Sequence, residues 1–168
     1  NKDESNYEEL VYEGYGPHGV AVLVETATDN TNRTVANVRS YFNKCDGTLG
    51  KTGSLDFIFN RQSVFRFDPG ELDLEELEFD LIDAGLTEIY VEESEEGKDI
   101  AVIHTAFEDF GKMQKALEEK NIEVLSAKLE RVALSTTEVS EAQAADVLKL
   151  IDKLEEDDDV QAVYHNMG

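Results

Sequence analysis

Cysteine, cations and long apolar runs are what this sequence has little of. Its one cysteine, Cys45, rules out an internal disulfide framework and fits a reducing, cytoplasmic setting. No apolar run approaches the ~20 residues that a membrane-crossing helix needs, and no signal-peptide pattern opens the chain. No membrane partner is expected. The first residue is Asn1 rather than Met, which reads as a piece of a longer chain. Lysine and arginine number 15 against 38 Asp and Glu, a formal net charge of −23.

That charge is unevenly spread. Residues 1–67 hold 7 Lys/Arg against 9 Asp/Glu, residues 68–130 hold 5 against 20, and residues 131–168 hold 3 against 9. Affinity for nucleic acid comes largely from cations that neutralise phosphates, so the middle segment should repel it. Arg33, Arg39, Arg61 and Arg66 all stand in the near-neutral first part. If a face meets an anionic partner, it is there.

With 168 residues, the chain can form one domain or two small ones with a real core. Residues 1–6 are polar and expected to fray, and Tyr7–Tyr12 has the length of a short strand. Gly14–Gly19 is a glycine-rich loop, and the unbroken apolar run Val20–Val24 reads as a central strand. Asp29, Asn30 or Thr31 can cap a helix that runs to Lys44 and stops at Gly47. Leu55, Phe57 and Phe59 alternate as a strand with one apolar face. Further on, residues 64–130 read β-α-β-β-α-β, with a capping box expected at Thr105 and Glu108. The last part reads as a strand at 131–136, a helix at 140–154 capped by Ser140 and Gln143, and a strand at 160–164.

The order implies nesting. Residues 64–130 form one ferredoxin-like βαββαβ unit, and the remainder repeats the same order. The expected fold class is therefore α+β, with two ferredoxin-like domains, the second inserted into the first. The expected domains are 1–63 plus 131–168, carrying the glycine-rich loop, and the acidic insert 64–130.

Little in the sequence points to catalysis. His18, His104 and His165 stand far apart, none at metal-ligand spacing, and His104 and His165 read as ordinary surface or strand-end residues. Cys45 lies next to Asp46, which disfavours a thiolate. The acidic runs 92–96 and 155–159 lack the alternating layout of a calcium loop. No serine, histidine and carboxylate stand out as a triad. The glycines of 14–19 precede a strand rather than opening a helix, so no phosphate-cradling nucleotide loop is formed. No cofactor, metal or enzymatic activity is expected. Tyr12 and Tyr15 can either stack on a partner from a glycine-held loop or fill the local core. Arg33, Lys44, Lys51 and Arg61 fall at helix ends and turns within reach of phosphate. Arg39 lies six residues from Arg33 on the same helix and points elsewhere.

The residues Tyr12-Glu13-Gly14-Tyr15-Gly16-Pro17, Gly19-Val20-Ala21, Thr28-Asp29-Asn30, Asn32-Arg33-Thr34, Phe42, Lys44, Gly47, Leu49-Gly50 and Gly53-Ser54 together resemble the YebC/PmpR family of probable transcriptional regulators. Mitochondrial relatives of that family are translational activators. His18 departs from the pattern, where the family usually has a small residue, commonly glycine. The resemblance implies two α+β domains that follow a basic helical one, and nothing in these residues corresponds to the latter. It also implies a non-enzymatic regulator that meets DNA at promoters or RNA on the ribosome. Tyr12, Tyr15, Gly16, His18, Asp29, Asn30, Asn32, Arg33, Arg39, Lys44, Lys51 and Arg61 are the candidate contacts. The acidic insert would serve as a spacer, a protein-docking surface or a guard against nonspecific nucleic-acid binding. A ligand-sensing module is the third class, by analogy of fold alone.

Overall fold

The computed structural model describes residues 6–168; the expectation of fraying lies, for residues 1–5, outside the described residues. The chain is α+β and forms two ferredoxin-like units, each with a four-stranded sheet. One unit comprises the residues up to Asn60 together with Ala133–Gly168; the other is Arg61–Val132.

In the first unit, β1 (Glu8–Tyr15) and β2 (Ala21–Thr28) form an antiparallel pair, followed by α1 (Thr31–Lys44) and the two-residue β3 (Thr48–Leu49). After the insert come α4 (Glu141–Glu155) and β8 (Val160–His165). The strand order is β3-β1-β2-β8. β2 is central, which explains its unbroken apolar run. Val20, Val22 and Val24 pack against Val38 and Phe42 of α1 and Val147, Leu150 and Leu154 of α4. Ala21 and Leu23 point the other way, onto Leu55, Ile58 and Phe59. Both faces of the strand are therefore covered.

Two expectations for this unit change. Residues 52–58 are turns, not a strand, and the next strand begins only at Phe59. Leu55, Ile58 and Phe59 are buried at helix-like spacing while Phe57 is 72% exposed, so the apparent alternation was misleading. The amides of Ile58 and Phe59 both donate to the Leu55 carbonyl. The strand expected at 131–136 likewise ends at Ala133. The N-terminal β1 takes the place between β2 and the edge strand, and β3 is that edge, which restores the ferredoxin-like spatial order.

α1 starts where the Asn30 side chain accepts the Arg33 amide at 3.1 Å. It buries Thr34, Val38 and Phe42 at a spacing of four. Its end differs in detail from the expectation. The residue with positive φ is Asp46 (60°), and the Gly47 amide returns to the Phe42 carbonyl at 2.7 Å. Gly47 is needed for another reason: a Cβ there would lie 2.6 Å from the Tyr15 carbonyl oxygen.

The second unit holds β4 (Phe59–Phe67, entering from the first), α2 (Leu74–Leu81), β5 (Leu86–Glu93), β6 (Asp99–Ala106), α3 (Phe110–Glu119) and β7 (Val124–Ala133), in the order β5-β6-β4-β7. Phe65, Phe67, Leu77, Leu81, Ile103, Met113 and Leu117 form its core. Asp73 caps α2 and Gly85, at φ 97°, closes the turn that follows it. The capping box expected at Thr105 and Glu108 does not form: Thr105 belongs to β6, and its hydroxyl donates to the Gly85 carbonyl at 2.5 Å. The box at Ser140 and Gln143 on α4 does form. Among the described residues, no helix is long and apolar enough to cross a membrane.

His104 is neither on the surface nor at a strand end; it is buried within β6. Its Nδ1–H donates to Gln62 Oε1 at 2.8 Å, which leaves Nε2 to accept the Tyr90 hydroxyl at 2.9 Å. Burial lowers its pKa from the ordinary 6.5, against the pull of Glu88 and Glu130. A depressed histidine pKa contributes stability that is present above the unfolded value and is lost as pH falls through the folded one. Burial also lowers the pKa of His165. The melting temperature should therefore fall between pH 7.5 and pH 5.5, and His104→Gln should lessen that fall without abolishing it. Thermal unfolding of both proteins at the two pH values checks this; equal falls would remove His104 as a cause.

Candidate nucleic-acid interface

The end of β1, which extends through Gly14 and Tyr15, and the loop that joins it to β2 are built for close approach. A Cβ on Gly14 would lie 2.5 Å from the Thr48 carbonyl oxygen and 3.0 Å from the Leu49 Cα, so only glycine lets β3 pair with β1 here. The Gly16 amide donates to the Val20 carbonyl at 2.8 Å, which closes the loop. Gly16 itself packs on Leu150 of α4. His18 has φ 65° and Gly19 φ 77°, two consecutive left-handed residues. For a histidine this conformation costs roughly 1 kcal/mol. The His18 ring offsets the strain with an Nε2···Asp146 Oδ2 contact of 2.8 Å onto α4.

Against this loop lies the segment that follows α1. Glu13, only 3% exposed, organises it. Its Oε2 accepts the Gly53 amide at 2.6 Å, its Oε1 the Leu55 amide at 2.8 Å, and its backbone carbonyl the Gly50 amide at 2.8 Å. Three bonds from one residue hold a turn that displays Lys51 on the surface. In sequence, Glu13 stands out only as part of the glycine-rich motif. A usable clue existed: Glu13 is two residues from Val11, so both point to the same covered face of β1.

The candidate residues separate into groups. Tyr15 (39% exposed), Lys44 at the end of α1, Lys51 and His18 are exposed, and the backbone at Tyr15 and Gly16 is in direct contact with Gly47. Tyr12 instead is half-buried against the core, and burial followed by Asp159 and Glu8 raises its phenol pKa. Of the two tyrosines, Tyr12 thus packs on the local core and Tyr15 does not. Arg33 is engaged within the protein. Its guanidinium donates to Asp159 at 3.0 and 3.1 Å through Nη2 and to Asp29 at 3.2 Å. Thr34 donates to the same Asp159 carboxylate at 2.9 Å, and Tyr41 to Asp157 at 2.7 Å. The acidic turn 155–159 is therefore stitched to α1, a role that its charge alone did not reveal. Asn30 is the helix cap, whereas Asn32 and Arg39 are exposed on α1. Arg61 falls in the second unit, where its guanidinium lies 4.0 Å from the centre of the Phe107 ring. Among the described residues no group of three or more His, Cys, Asp or Glu is placed to hold a metal ion.

Residues 7–167 match the family model described as TACO1/YebC second and third domain. A protein of Cytophaga hutchinsonii named "Probable transcriptional regulatory protein" is 56% identical over 167 residues, which is 99% of this chain and 68% of that one. A protein of the same name from Flavobacterium johnsoniae is 53% identical, with the same shares covered. Among solved structures, a conserved hypothetical protein from Aquifex aeolicus shares 35% identity and a TM-score of 0.80, covering all of this chain and 67% of that one.

Proposed function

The chain belongs to the TACO1/YebC family, and from that premise we propose that it serves a cytoplasmic regulator of gene expression that acts on DNA at the level of transcription. The names of the relatives are regulatory rather than enzymatic, and no catalytic step is proposed. The observation that supports the reading is the close contact of Tyr15 and Gly16 with the segment that follows α1, which holds in place the backbone on which Tyr15 and Lys51 stand exposed, with Lys44 exposed at the end of α1. Lysines on a rigid backbone position phosphates, and an exposed tyrosine can stack on a base. The second unit, with its excess of carboxylates, supplies no attraction to nucleic acid. We assign it to docking of a protein partner or to preventing nonspecific binding.

A second reading is favoured by one feature: Lys44 and Lys51 lie at a helix end and in a turn. Contacts of that kind suit structured RNA, and hence action on the ribosome.

Binding of the chain to duplex DNA and to ribosomes across a salt series separates the two, tested alone and joined to the first domain that the family description implies. On the DNA reading, Lys44→Ala with Lys51→Ala should weaken DNA binding and flatten its logarithmic salt slope by about 2. Capture by ribosomes alone, lost on Tyr15→Ala, would transfer the assignment to translation. Binding to neither would overturn both.

A further inference from the structure

Alone among the four helices of the described residues, α1 contains no Asp or Glu, in a chain that has 38. Its inner face is Thr34, Val38 and Phe42. Opposite them, Asn32, Ala36, Arg39, Ser40 and Asn43 fall at i, i+4, i+7, i+8 and i+11, a single stripe along the helix. Four of the five are exposed and Ser40 is half-buried. Ala36, Arg39, Ser40, Asn43 and Lys44 line a shallow groove on this face. Ala36 and Ser40 are short, so a partner can come close to the helix axis between the longer side chains.

We infer that this stripe of α1 is a docking face for the major groove of duplex DNA, an assignment that rests on the nucleic-acid reading above and gives it a second surface. The argument is one of complementary charge and shape. Around a strongly acidic molecule, a 14-residue helix of about 21 Å keeps carboxylates off its outer surface and carries Arg39 and Lys44. The major groove admits an α-helix, and guanidinium and amide side chains are the groups that pair with purine edges there. Arg39 and Asn43 are placed to meet base edges, and Lys44, at the flank, a phosphate. The deep, narrow major groove of A-form RNA would not accept the same face.

The test is an NMR titration of the isotope-labelled chain at low salt with a 16-base-pair DNA duplex and, separately, an RNA hairpin. Amide shifts under DNA should concentrate at Asn32, Ala36, Arg39, Ser40 and Asn43. Arg39→Glu, an exposed change whose fold is checked by the unchanged core resonances, should weaken DNA binding at least tenfold. DNA shifts confined to the loop 14–19 and the turn at Lys51 would overturn this face while leaving the proposed function standing. Shifts on α1 with RNA alone would overturn the choice of occupant. No shift with either ligand would overturn both proposals.

Discussion

Replacing Glu13 with glutamine is expected to destabilise the first unit by about 2 kcal/mol, and replacing it with alanine by about 3 kcal/mol. The carboxylate is buried and accepts two backbone amides, those of Gly53 and Leu55. Glutamine can still accept one of them, but it turns an NH2 donor toward the other, so one donor is left facing a donor. Alanine abandons both amides and leaves a void between β1 and the turn. Buried backbone donors are rarely left without a partner, which is why the loss is large for one side chain. Urea unfolding of the variants measures the total. Amide exchange localises it, since Gly53 and Leu55 should lose protection first. Unchanged protection at both would show that the turn is held by Leu55 burial alone. Release of this turn would also unseat Lys51, so the same variants should weaken nucleic-acid binding without touching a cation.

The second large effect concerns Asp159. Asp159→Ala removes the acceptor for the Arg33 guanidinium and for the Thr34 hydroxyl at once. A hydrogen bond to a charged group contributes more than a neutral one, and we expect a loss of about 2 kcal/mol. Arg33→Ala should cost less, because its side chain is 46% exposed and that of Asp159 only 11%. The double variant should lose less than the sum of the two single losses, since both substitutions break the same contact and only the Arg33–Asp29 pair is lost in addition. A full, additive loss would mean that Arg33 and Asp159 stabilise the fold separately. The result also bears on function. An arginine held this way keeps the N-terminus of α1 against the turn that precedes β8, and its substitution should affect nucleic-acid binding only through stability.

Much of the architecture follows from local pattern. The unbroken run Val20–Val24, the spacing of Val38 and Phe42, the capping box at Ser140 and the β-α-β-β-α-β order of the insert each reflect a local rule, and each survives in the structure. Other features were illegible because they depend on which segment covers which face. Leu55, Phe57 and Phe59 alternate in sequence, yet that segment packs as turns over the second face of β2, because β1 already fills the place beside it. The inward direction of Glu13 and the pairing of Arg33 with a residue 126 positions away are likewise products of packing.

The sequence by itself determined the α+β class, the motif-bearing loop, the position of the helices and the location of the acidic excess. Those are matters of periodicity, capping and composition, which act over a few residues. Tertiary structure alone decided that Tyr12 is inside and Tyr15 outside, and that Arg33 belongs to an ion pair. Burial and pairing bring distant residues together, and no local pattern encodes the partner.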